Sequence, residues 1–189
     1  MNLKEEMSFL GKKAVNQGLV ETNMGNFSVN LLNNSMLITK SGHALDELCD
    51  ESFTIVNFDE SKIPQIASRE AIVHMEIYKN TDAFSVFHSH SSFATIMSLS
   101  KHNNCKALQS LDVEGEHFLN EIQFVEGKSG SLELARKVAD VLQYNKSVIV
   151  IGHGVFAKGE SIVAAYNNAV ITEHSSKILY YTELRNILM

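Results

Sequence analysis

The chain predicts an α/β fold, a mixed β-sheet covered by helices on both faces, and three patterns carry that prediction. A hairpin signature near the start alternates apolar and polar residues on both sides of an Asn-Asn pair. Later apolar runs are short, of strand length, and bounded by turn residues. Between them, and at both ends, apolar residues recur at helical spacing.

The elements follow in order. Residues 3–18 read as an amphipathic helix, with Leu3, Met7, Leu10, Ala14 and Val15 on one stripe. Phe27, Val29 and Leu31 alternate with polar residues, Asn33-Asn34 supplies a turn, and Met36 and Ile38 alternate again, which is a β-hairpin. Phe53 to Phe58 is a further strand. Ser68 is the expected N-cap of a helix running to about Asn80. A strand ending at His88 follows, then a helix from Ser91 to Leu99 beginning beneath the histidines. Ile122 to Val125 is a short strand, and Leu132, Ala135, Val138 and Leu142 mark a helix. Val148 to Ile151 is expected to be the last strand, and residues 161–187 a long closing helix.

Composition narrows the function. The 189 residues suit one domain over 1–189, large enough to bury roughly 70% of its unfolded surface without disulfide or metal support. A net charge of −6 argues against a general nucleic-acid binder, which needs a basic face, but leaves room for a small anionic substrate. Cys49 and Cys105 lack metal spacing and read as reduced, partly buried thiols. No apolar run reaches the roughly 20 residues of a membrane helix. The start is too acidic for a signal peptide, so a cytoplasmic location is expected.

The chemistry concentrates in four residues. His88 and His90 are two apart on a strand, so they share a face and can hold one ion together. His153, at the end of another apolar run, completes a three-histidine set that leaves a metal position open. A metallo-β-lactamase-like site would carry an aspartate where Ser92 stands, and a cupin would carry a glutamate after the pair. Glu70 precedes the first histidine strand and reads as a general base, or as a solvated first-turn carboxylate. Thr22-Asn23-Met24-Gly25-Asn26 and Thr39-Lys40-Ser41-Gly42 flank the hairpin as two glycine turns able to present amides and hydroxyls to an anion. Ser68 and Arg69 would add a hydroxyl and a guanidinium fork. Asp112 and Glu114 lie in an acidic stretch without periodicity, a loop or a second acid/base. His74, His102, His117 and His174 have no partner at ligand spacing.

Taken in order, several runs resemble the class II aldolase/adducin-head family: Thr22 to Val29, Ile38 to Gly42, Ser68-Arg69-Glu70-Ala71 with His74, His88-Ser89-His90-Ser91, Ile151 to Gly159 and Glu173 to Lys177. Glu114-Gly115 and His153-Gly154-Val155-Phe156 are similar to runs in its compact archaeal-type fuculose-phosphate aldolases. The resemblance implies a three-layer α/β/α domain around a central, mainly antiparallel sheet. It implies Zn2+, or another divalent ion, on His88, His90 and His153, with Glu70 as an acid/base carboxylate that can also approach the metal when substrate is absent. Asn26, Ser41, Gly42 and Ser68 match phosphate-binding positions. Arg69 stands where the family commonly has a second serine, and Asp112 and Glu114 fall where its epimerases carry a further catalytic acid. A homotetramer with active sites at subunit interfaces is also implied.

The activity implied is reversible cleavage of a ketose 1-phosphate, such as L-fuculose 1-phosphate, to dihydroxyacetone phosphate and an aldehyde through a metal-stabilised enediolate. Epimerase, dehydratase and decarboxylase chemistry on sugar phosphates are alternatives within the same family. A metal-free interaction module resembling the adducin head is the alternative outside catalysis.

Overall fold

The structure is a computed structural model describing residues 1–21, 23–59, 62–102 and 105–189; Thr22, at the head of the first glycine turn, lies outside these. The described strands form one eight-stranded sheet. They are β1 (Gly25–Asn30), β2 (Ser35–Thr39), β3 (Phe53–Asn57), β4 (Ser85–Ser89), β5 (Ala107–Gln109), β6 (Glu121–Val125), β7 (Ser147–Val150) and β8 (Gly154–Gly159), in the spatial order β3-β2-β1-β4-β8-β7-β6-β5. Among the described residues β6–β7 is the one parallel pairing; the others are antiparallel.

Alternation along the strands sorts side chains into two cores, as a period of two requires. Phe27, Val29, Phe87, Val155 and Ala157 face one side, where they pack with α1 (Leu3–Asn16), α3 (Ser92–Lys101) and α6 (Ile162–Leu188). Met36, Ile38, Val86, Val148 and Phe156 face the other, against α2 (Ala71–Asn80) and α5 (Leu132–Leu142). The three-layer α/β/α expectation is met, and the sheet is mainly antiparallel.

Four expectations are corrected. The helix after Ser68 begins at Ala71 with Glu70 as its N-cap residue. Ser68 is instead held in the loop: its amide donates to the Thr39 carbonyl at 3.2 Å, and Ala67 bridges Lys40. Those contacts keep residues 67–68 from helical geometry. The apolar run to Ile151 is not the last strand, because β8 follows and lies between β7 and β4. The 112–116 stretch is not a loop: Asp112 caps α4 (Val113–Phe118), its Oδ1 accepting from the Gly115 amide at 2.8 Å. Cys49 is exposed rather than partly buried.

Two polar devices lock helices near the histidine strand. Glu173 of α6 accepts from the Phe93 and Ala94 amides, both at 2.9 Å, satisfying donors that the start of α3 would otherwise leave unpaired. On the opposite face, the buried Ser28 hydroxyl bonds His74 Nδ1 and the Tyr78 hydroxyl, each at 2.6 Å, tying α2 to β1. Among the described residues, no helix is long and apolar enough to cross a membrane.

Candidate metal centre and substrate cavity

The register of the sheet gathers the predicted residues at one end. Asn26 lies opposite His88 on β1–β4, and Phe156 lies opposite His88 on β4–β8. The buried His88 ring stacks on Phe156 at 4.0 Å between centroids. His153 sits in the turn joining β7 to β8. Its neighbour Gly154 has φ +154°, and a Cβ there would stand 2.2 Å from the Ser89 carbonyl oxygen. Only glycine permits that approach, and the approach sets His153 beside His88 and His90. The three ring centroids are 4.7–4.9 Å apart.

One ligand-capable nitrogen from each ring lies within 4.8 Å of the others. Nitrogens around a tetrahedral ion at ~2.0–2.1 Å stand roughly 3.4 Å apart, so small ring movements suffice. His88 Nε2 and His153 Nδ1 are buried without a hydrogen-bond partner among the described residues. Burial first, then repulsion from His153 and His90, holds His88 well below its ordinary pKa. Burial and then His153 push His90 down to about 4, with Glu70 pulling the other way. Burial also lowers His153. Neutral rings are the form that binds metal. The donor set therefore fits a divalent ion.

Glu70 is 4% exposed at the start of α2. Its Oε1 lies 4.0 Å from His153 Nε2. The Ser129 hydroxyl donates to the same oxygen, and the Gly130 amide donates to Oε2 at 3.4 Å. Ser129 and Gly130 escape a reading of the sequence. The available signal is Gly127-Lys128-Ser129-Gly130, another glycine-serine turn just before a helix.

A cavity of about 380 Å³ opens over these groups, within the size range of small-molecule sites. Asn26, Ser41, Gly42, Ser68 and Arg69 all line it together with Glu70 and the three histidines, so both glycine turns share one pocket as their flanking positions predict. Lys40 lines it too, giving the cavity two cations, Lys40 and Arg69. Asp112 and Glu114 do not line it. They gather with His174 on the α4–α6 side.

The family described as Class II Aldolase and Adducin N-terminal domain matches residues 5–180. The chain belongs to this family. Within this class II aldolase/adducin group, it is similar to an L-fuculose phosphate aldolase of Methanococcus maripaludis, 30% identical over 78% of this chain and 79% of the relative. A 3-oxo-tetronate 4-phosphate decarboxylase of Haemophilus influenzae is 25% identical over 94% of this chain and 86% of the relative. Among solved structures, the l-fuculose-1-phosphate aldolase from Thermus thermophilus superposes with a TM-score of 0.90 at 34% identity, covering 97% of this chain and 95% of that one. Aldolases and decarboxylases both occur among its relatives, so membership establishes lyase kinship and leaves the individual reaction to the site.

Proposed function

We propose that this chain is a divalent-metal-dependent class II aldolase that reversibly cleaves a ketose 1-phosphate to dihydroxyacetone phosphate and an aldehyde. One observation carries the reading: a buried carboxylate, Glu70, held beside three neutral imidazoles in a cavity that also holds Lys40 and Arg69. An ion held by His88, His90 and His153, zinc in our reading, would supply Lewis-acid polarisation of the substrate carbonyl.

The remaining roles belong to the chain. Lys40, Ser41, Gly42, Ser68 and Asn26 bind the phosphate and fix the register of the reacting carbons. Arg69 contributes a second cation at the same anion. In cleavage the hydroxyl that becomes the aldehyde gives up its proton to the second acid/base, the carbon–carbon bond breaks with its electron pair left on the donor fragment, and Glu70 then delivers a proton to the donor carbon. In synthesis it removes that proton from dihydroxyacetone phosphate. Asp112 and Glu114 lie outside their own chain's cavity and would act as a second acid/base only on a neighbouring copy, as the expected homotetramer with interfacial sites would allow.

Decarboxylation of a sugar-acid phosphate is the second reading, favoured by the Haemophilus influenzae relative matching nearly the whole chain. It breaks a carbon–carbon bond with the same electron flow but releases carbon dioxide instead of an aldehyde. A screen of metal-reconstituted protein separates the two. Triose phosphate release from a ketose 1-phosphate is expected. Carbon dioxide release from 3-oxo acid phosphates, with no triose phosphate from any ketose, would replace aldolase by decarboxylase.

A further inference from the structure

The turn that carries His153 is tied to α3 by one hydroxyl. Its amides have separate partners: the Ile151 amide donates to the Val125 carbonyl at 2.9 Å, and the His153 amide to the Val150 carbonyl at 3.0 Å. Between them, the Gly152 amide donates to Ser98 Oγ at 3.0 Å, a bond spanning 54 residues of chain. Ser98 is fully buried, and its own hydroxyl proton goes to the Thr95 carbonyl at 2.7 Å. A hydroxyl has one proton and two lone pairs, so both bonds form at once. Leu99, the next residue of α3, closes on the same turn: Gly152 takes φ +68°, and a Cβ there would stand 3.2 Å from Leu99 Cδ2.

The same helix meets the other two histidines. α3 starts at Ser92, two residues after His90, and Glu173 fixes that start through the Phe93 and Ala94 amides. Thr95 Oγ1 donates to the Ser91 carbonyl at 2.8 Å, one turn before Ser98 reaches back to the Thr95 carbonyl. α3 thus holds the His88–His90 strand at its first turn and the His153 turn further along. Serine gives a helix interior no propensity advantage, and a buried hydroxyl needs partners. We infer that Ser98 is a positioning residue: through the Gly152 amide it sets where the His153 ring stands relative to His88 and His90, and so how tightly the three hold an ion. The inference rests on the metal-site reading above. Without that acceptor the exposed Gly152 is free to turn its amide to water, and His153 moves with it.

The test is Zn2+ affinity, read by competition with a chromophoric chelator and requiring no turnover. Ser98→Ala should weaken Zn2+ binding by about tenfold, the lower end of what loss of a supporting contact behind a ligand costs. Alanine is the best helix former, so α3 itself is kept, and circular dichroism checks it. Ser176→Ala is the structural control: Ser176 is equally buried, and its hydroxyl donates to the Thr172 carbonyl at 2.7 Å within α6. It should leave the affinity unchanged. Ser98→Ala added to His153→Ala should weaken Zn2+ no further than His153→Ala alone, because the effect passes through that ring. Unaltered affinity in Ser98→Ala, an equal loss in Ser176→Ala, or an additional loss in the double variant would each overturn the role of Ser98 while leaving the metal site standing. No Zn2+ uptake by the unsubstituted protein would sink the metal-site reading together with it.

Discussion

The Nδ1–H of His88 donates to the Val155 carbonyl oxygen at 2.9 Å. A carbonyl only accepts, so the bond fixes the tautomer and leaves Nε2 bearing the lone pair. That nitrogen is buried with no other partner among the described residues. A backbone carbonyl behind a ligating imidazole raises its basicity and orients its ring.

Removing a ring should therefore remove the metal. His90→Ala and His153→Ala, both at partly exposed positions, are expected to lower metal affinity by more than about 100-fold, beyond what loss of a supporting contact costs. Metal analysis after reconstitution, with circular dichroism as a folding control, measures it. Full metal occupancy in both variants would place the ion elsewhere than on these rings, whereas failure of the unsubstituted protein to take up metal would favour the interaction-module alternative. Because burial keeps His90 neutral down to about 4, metal uptake should persist below pH 6.5, where free imidazole already protonates.

Glu70→Gln is expected to keep the metal and to lose roughly 10²–10⁴-fold in kcat, the usual contribution of a positioned acid/base. The substitution preserves shape and an acceptor oxygen for Ser129 while abolishing proton transfer. Steady-state kinetics with the best ketose 1-phosphate reads the effect, and an unchanged kcat removes Glu70 from the mechanism.

Arg69, exposed at the cavity, offers a direct test of the anion site. Arg69→Ser is expected to raise KM for a phosphorylated substrate about tenfold, the equivalent of one lost charge-assisted hydrogen bond. An unaltered KM would place the guanidinium outside the pocket in solution.

His74 makes the fold sensitive to acid. Burial pushes its pKa from 6.5 down to about 3. Between those values the unfolded chain holds a proton on this ring that the folded chain lacks. Stability is then complete above pH 6.5 and falls as pH drops toward 3, by up to about 1.4 kcal/mol per pH unit. Urea titrations from pH 7 to 4 should show that slope, and His74→Asn should flatten it; a slope identical in the variant would assign the acid sensitivity to other groups.

Much of this is legible along the chain, for reasons specific to particular residues. Met7, Leu10 and Ala14 mark α1 because a helix buries one stripe, and Phe27 and Val29 mark β1 because a strand alternates. β8 escapes a reading of the sequence because only the short turn 151–153 separates it from β7 and its glycines interrupt the apolar run. The Ser68 cap fails because local spacing says nothing about Thr39 and Lys40, which hold residues 67–68 from across the chain.

By itself the sequence determined the layered α/β class and the shared face of His88 and His90, since both follow from how the backbone repeats over a few residues. Tertiary structure decided how closely His153 approaches that pair, that Lys40 joins Arg69 in the same cavity, and that Ser129 donates to Glu70 from 59 residues away. Contacts of that range leave no periodic trace, because they depend on where packed helices and strands bring their ends together.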